Sequence, residues 1–146
     1  MISIDKIRHA LTPTLWWSSN RNDLPNKKVI FTFRLKYSKA RKVEWSRIDN
    51  DRWQVFFEST KNKHWTIYTN DAKWLETTVT ADLKNIPVKI REHFEINYNT
   101  RNLQHIYKIQ TYLKTIFELQ LDNEIAKEQL VYDENGKMLG KMIIER

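Results

Sequence analysis

The chain has 146 residues, 40% of them apolar and 12% aromatic, enough to bury a core and too apolar for intrinsic disorder. Cysteine is absent and glycine occurs twice, which excludes disulfides, thiol catalysis, cysteine-metal sites and a glycine-rich phosphate loop. The formal net charge is +7, and the whole excess falls in residues 24–43, where Lys27, Lys28, Arg34, Lys36, Lys39, Arg41 and Lys42 are accompanied by no acid. Such a segment attracts anions.

In chain order, residues 1–23 read as an amino-terminal arm. Ile4, Ile7 and Leu11 repeat at helical spacing, Pro13 ends that pattern, and Trp16 and Trp17 are suited to packing the arm onto the main body. Asp5, Lys6, Arg8 and His9 break any apolar stretch of the kind an export signal needs. No apolar run in the chain reaches the length of about 20 residues that a helical membrane span requires.

Residues 24–146 read as one domain built from two repeats, 24–82 and 83–146. Tyr68 to Leu75 aligns with Tyr132 to Leu139 at an offset of 64, and Trp53-Gln54-Val55-Phe56-Phe57 falls on Phe117-Glu118-Leu119-Gln120-Leu121 at the same offset. Val29, Phe33 and Tyr37 align with Ile90, Phe94 and Tyr98, and Asp23-Leu24-Pro25 with Asn85-Ile86-Pro87. In the second repeat Asn85 is a candidate cap, Pro87 suits the first helical turn, and Ile86, Ile90, Phe94 and Tyr98 share a helical face. Val29, Phe31, Phe33, Leu35 and Tyr37 alternate like a strand, but their alignment with the second helix assigns them to a helix. The expected fold class is α+β: two tandem repeats of a helix followed by antiparallel strands, with the helices packed on one face of the sheet.

The strands are expected over 41–48, 52–58, around Trp65 and Ile67, around Leu75 to Val79, and around Phe117 to Leu121, Val131, and Leu139 to Ile143. The turn Asp133-Glu134-Asn135-Gly136-Lys137 suits a three-residue hairpin with Gly136 left-handed. A hairpin centred near Lys61 sets Phe57 opposite Trp65 and Val55 opposite Ile67. Trp53, Val55, Phe57, Trp65, Ile67, Leu75 and Val79 then face the core, as do Phe117, Leu119, Leu121, Val131, Leu139 and Ile143. The outer face carries Phe56, Tyr68, Trp74, Tyr132 and Met138 among polar residues including Gln54, Glu76 and Glu118.

The blocks Lys42-Val43-Glu44-Trp45, Trp53 to Phe57, Tyr68 to Leu75, Ile86-Pro87 and Val131 to Lys137 together resemble the PepSY-like proteins of Bacteroidetes, which share a fold with the β-lactamase inhibitory protein. The resemblance covers about Leu24 to Ile143. It implies tandem helix-plus-sheet repeats, no known enzymatic activity and a periplasmic location. It offers no functional residues, since its motifs are structural.

Of the four histidines, His9, His64, His93 and His105, no two sit at the spacing of a helical zinc site, and His64 and His93 read as surface residues. Glu44, Glu58, Glu76 and Glu118 scatter along strands, and no nucleophile elbow occurs. The chain is thus expected to be a non-catalytic binding domain, without cofactor or metal, for an unidentified protein or peptide partner, using Phe56, Tyr68, Trp74, Tyr132 and Met138. The alternative is electrostatic binding of an anionic polymer or membrane surface through Lys27, Lys28, Arg34, Lys36, Lys39, Arg41 and Lys42, with nucleic acid disfavoured because Phe31, Phe33 and Tyr37 are expected to be buried on a core-facing helix.

Overall fold

Asn26 starts the first helix. Its side-chain oxygen accepts the Val29 backbone N–H at 3.1 Å, and its amide donates to the Asn70 carbonyl at 2.9 Å, so the cap also ties the helix to a hairpin tip. The computed structural model describes residues 23–145; the amino-terminal arm up to residue 22, with its expected short helix, lies outside the described residues. Helix α1 runs Lys27–Lys36, with Arg34 and Lys36 in its last turn, where cations complement the negative end of the helix dipole. Strands β1 (Arg41–Arg47), β2 (Arg52–Ser59), β3 (Asn62–Thr69) and β4 (Trp74–Thr80) follow. Then come helix α2 (Val88–Asn97) and strands β5 (Leu103–Gln110), β6 (Thr115–Asp122), β7 (Lys127–Asp133) and β8 (Met138–Glu145).

This corrects the expected fold class. The described chain is mostly one antiparallel sheet, eight strands in the order β1 to β8, with two ten-residue α-helices rather than tandem helix-then-strand repeats. Two things hid the weight of the sheet. Each helix is under three turns, so it covers little chain. Strand β5 also escapes the alternation test: Leu103, Ile106, Tyr107 and Gln110 recur at spacings of three and four, and a register shift between Leu103 and His105 breaks the period of two. Asn85 is not a cap either; it closes a short 3-10 turn, Leu83–Asn85, and Pro87 takes the position before α2.

The chain divides into two compact units, one ending at Thr77 and the other starting at Thr78. In the first, Val29 and Phe33 of α1 are fully buried on Val55, Phe57 and Tyr68, with Tyr37, Val43, Trp45 and Trp74 packed around them. Phe33 meets Trp45 and Phe57 edge-on at 5.4 and 5.1 Å, the geometry aromatic quadrupoles favour. In the second, Ile86, Ile90 and Phe94 pack on Ile106, Phe117, Leu119, Leu121, Leu130 and Tyr132. Each fully buried apolar side chain contributes about 1.5–3 kcal/mol by leaving water.

The strand register differs from the expected one in β3 and β7. Phe57 stands across from His64 and Val55 from Thr66, so Trp65 and Ile67 turn to the face opposite α1 and Tyr68 turns toward it. In β7, Leu119 pairs with Leu130 and Phe117 with Tyr132, so Leu130 and Tyr132 face α2 and Val131 does not. Shifting a strand by one residue exchanges its two faces. The cause in β3 is the turn: Ser59 pairs with Asn62, leaving a two-residue loop with Thr60 at φ 57°. A β-branched residue is a poor sequence signal for that backbone. Leu139 and Ile143, expected in the core, are 43% and 68% exposed on β8. The expected hairpin turn does form, with Gly136 at φ 90°.

Candidate functional site

Two surfaces of the first unit carry chemistry. The first is the sheet face opposite α1. There Phe56 pairs across the strands with Trp65, their rings 5.4 Å apart and both half-buried. Glu58 pairs with Lys63 and Gln54 with Ile67 beside them. Gln54 is buried, and neither atom of its side-chain amide has a hydrogen-bond partner among the described residues. An unmade bond of this kind costs about 1–3 kcal/mol.

The second surface is the basic segment. Lys27, Lys28, Arg34, Lys36, Lys39, Arg41 and Lys42 are all exposed. Four have partners that leave their charge at the surface: Lys42 meets Glu58 at 3.5 Å, Arg41 donates to the Thr60 carbonyl at 3.1 Å, the Lys36 ammonium lies 5.2 Å from the Trp74 ring centre, and the Arg34 guanidinium carbon lies 5.5 Å from the Phe33 ring centre. Phe31 and Leu35 of α1 are 63% and 69% exposed among these cations.

The five residues expected to contact a partner do not share one surface. Phe56 lies on the face opposite α1, as described. Tyr68 is in the first core and Tyr132 in the second, 1% and 0% exposed. Burial pushes both phenols up, that of Tyr132 to about 12. Trp74 is half-buried against the first core and donates its indole N–H to the Thr77 hydroxyl at 2.7 Å. Met138 packs on the second core. Trp65, which sequence reasoning assigned to the core, is the residue that joins Phe56; only the turn geometry could have revealed it.

His64 and His93 are structural rather than merely superficial. His64 is half-buried and stacks on Phe57 at 4.7 Å, and burial holds its pKa below the ordinary histidine value. His93 is half-buried too, its Nδ1 2.8 Å from the Tyr132 hydroxyl. In the second unit the fully buried Glu118 carboxylate accepts amide N–H bonds from Gln120 and Gln129, both at 2.9 Å. Among the described residues no group of three histidines or acids is placed to hold a metal ion, and no helix is long and apolar enough to cross a membrane.

No protein-family model matches the chain, and neither does any curated protein. Solved structures do. A BLIP-like protein from Bacteroides fragilis superposes with a TM-score of 0.71 at 15% identity, over 85% of this chain and 89% of its own. The fold is BLIP-like. A DUF2874-family protein from Bacteroides ovatus shares this BLIP-like fold at a TM-score of 0.73 and 19% identity, covering 84% of this chain and 90% of its own. So does a protein of Bacteroides eggerthii with a provisional periplasmic assignment, at 0.76 and 18%, covering 84% and 91%.

Proposed function

We propose that this chain is a non-catalytic binding domain, PepSY-like in kinship, that holds a protein or peptide partner on the sheet face opposite α1. The observation that carries this reading is the Phe56–Trp65 pair, two half-buried aromatic rings on the sheet face opposite α1. Tyrosine, tryptophan and other large rings are the usual anchors of such interfaces. The fold shared with a BLIP-like protein supports protein capture as the class of function. The provisional assignment of the B. eggerthii neighbour supports a periplasmic location, which cell fractionation tests.

Replacing Phe56 and Trp65 by Ser, singly and together, should remove the bound partner from pull-downs without changing the far-UV circular dichroism. An unchanged set of captured proteins overturns the reading.

A second reading stands on its own observation, the seven exposed bases of residues 27–42 with no acid among them. This surface binds a polyanion or an anionic membrane, and its binding weakens steeply with salt.

A further inference from the structure

Helix α1 has two apolar lines, and only one is used by the core. At about 100° per residue, Val29 and Phe33 point into the first unit, while Phe31 and Leu35 point directly away from it. The exposures agree: Val29 and Phe33 are 0% accessible, Phe31 and Leu35 63% and 69%. Lys27 and Arg34 lie on one flank of this outward line and Lys28 on the other, all exposed. Lys39 follows beyond Leu35, whereas Lys36 turns over the Trp74 ring, and Leu24, 55% exposed, precedes the line.

We propose that α1 is a docking surface for an anionic lipid bilayer: Phe31 and Leu35 enter the boundary between headgroups and acyl chains, and Lys27, Lys28 and Arg34 engage the headgroup phosphates. The inference deepens the electrostatic reading above and rests on it. Charge alone does not choose among anions, but the apolar crest does. A nucleic acid or a heparin chain gains nothing from an exposed Leu35, whereas a bilayer takes up both kinds of side chain, with the long basic stems spanning the interface. Positive charge at a membrane surface and apolar burial add in this geometry.

Helix α2 is the built-in contrast. Its outward line carries Glu92 and Ile96, with Glu95 beside them, all exposed. Ile96 is 81% exposed, more than Phe31, yet on α2 the bases Lys89 and Arg91 are matched by Glu92 and Glu95, which leaves no excess positive charge beside it. Exposure of an apolar side chain on a helix is therefore shared by both units, and its combination with uncompensated positive charge belongs to α1.

The test uses the full chain in co-sedimentation with vesicles of equimolar phosphatidylglycerol and phosphatidylcholine, and with phosphatidylcholine alone. The chain should sediment with the anionic vesicles only, and less so as salt is raised. The double variant Phe31→Ser/Leu35→Ser should lose at least about tenfold in vesicle binding, with retention on heparin unchanged. Lys28→Gln and Arg34→Gln should each lose about fivefold on vesicles. Ile96→Ser should bind as the parent does. No sedimentation with anionic vesicles overturns the proposal, and so does undiminished binding by the double variant. In either case retention on heparin or single-stranded DNA leaves the electrostatic reading standing with a polymer as its target, and loss of that retention removes both.

Discussion

Phe57 and His64 share one cross-strand position, their rings 4.7 Å apart and 18° from parallel on the side of the sheet that α1 covers. The His64 Nδ1 donates to the Asn62 carbonyl at 3.3 Å, which sets the neutral tautomer with its proton on that nitrogen. An imidazolium in this place would lose solvation against an aromatic ring.

The folded state therefore holds the His64 pKa below the ordinary histidine value of 6.5. The unfolded chain takes up the proton first as pH falls, so this contribution to stability is complete above 6.5 and is lost below it. The urea midpoint should drop between neutral pH and the onset of carboxylate titration. His64→Gln should flatten that part of the profile, and an unchanged slope in the variant refutes the assignment.

Tyr132 and His93 make a hydrogen bond of 2.8 Å at the edge of the second core. Tyr132→Phe should destabilise the chain by about 1 kcal/mol in urea unfolding. Because the phenol is held up at about 12, the folded state keeps it neutral where the unfolded chain would ionise, and stability falls as pH rises from 10 toward 12. Ultraviolet titration should show two tyrosines, Tyr68 and Tyr132, ionising late or only on unfolding.

The two glycines should differ in their tolerance of alanine. At Gly136 a Cβ would lie 2.6 Å from the Lys89 Cβ, at a φ of 90° that other residues rarely adopt. Gly136→Ala should cost about 1–3 kcal/mol. At Gly140 nothing lies within 4 Å of the added Cβ, so Gly140→Ala should change the urea midpoint by less than about 0.5 kcal/mol equivalent.

Phe33 and Phe94 are each 0% exposed at the centre of their own core. Phe33→Ala and Phe94→Ala should each cost about 3–5 kcal/mol, since each removes a fully buried ring from its core and leaves a cavity. Calorimetry that finds either variant as stable as the parent contradicts the packing described.

Several features could be read from residues alone because they rest on local or chemical rules. The inward face of the second helix follows from the helical spacing of Ile86, Ile90 and Phe94, and that of the first from the alignment of Val29 and Phe33 with Ile90 and Phe94, since their own alternation reads equally as a strand. The exposure of the seven bases follows from the expense of burying unpaired charge. Gly136 marks its turn because few other residues tolerate that backbone.

What residue pattern could not decide is which side of the sheet each strand of a hairpin presents. That depends on a single residue of turn length, and the loop after Ser59 places a threonine, not a glycine or asparagine, at positive φ. So Tyr68 lies in a core and Trp65 joins Phe56 on the other face, and the loop between Asp122 and Lys127 likewise sets Tyr132 into the second core. Strand β5 was hidden in the same way, because a register shift interrupts its alternation and only its pairing with β6 establishes it. Local chemistry sets where a side chain can be; the long-range hydrogen-bond ladder selects among the places left open, and it has no counterpart in nearby sequence.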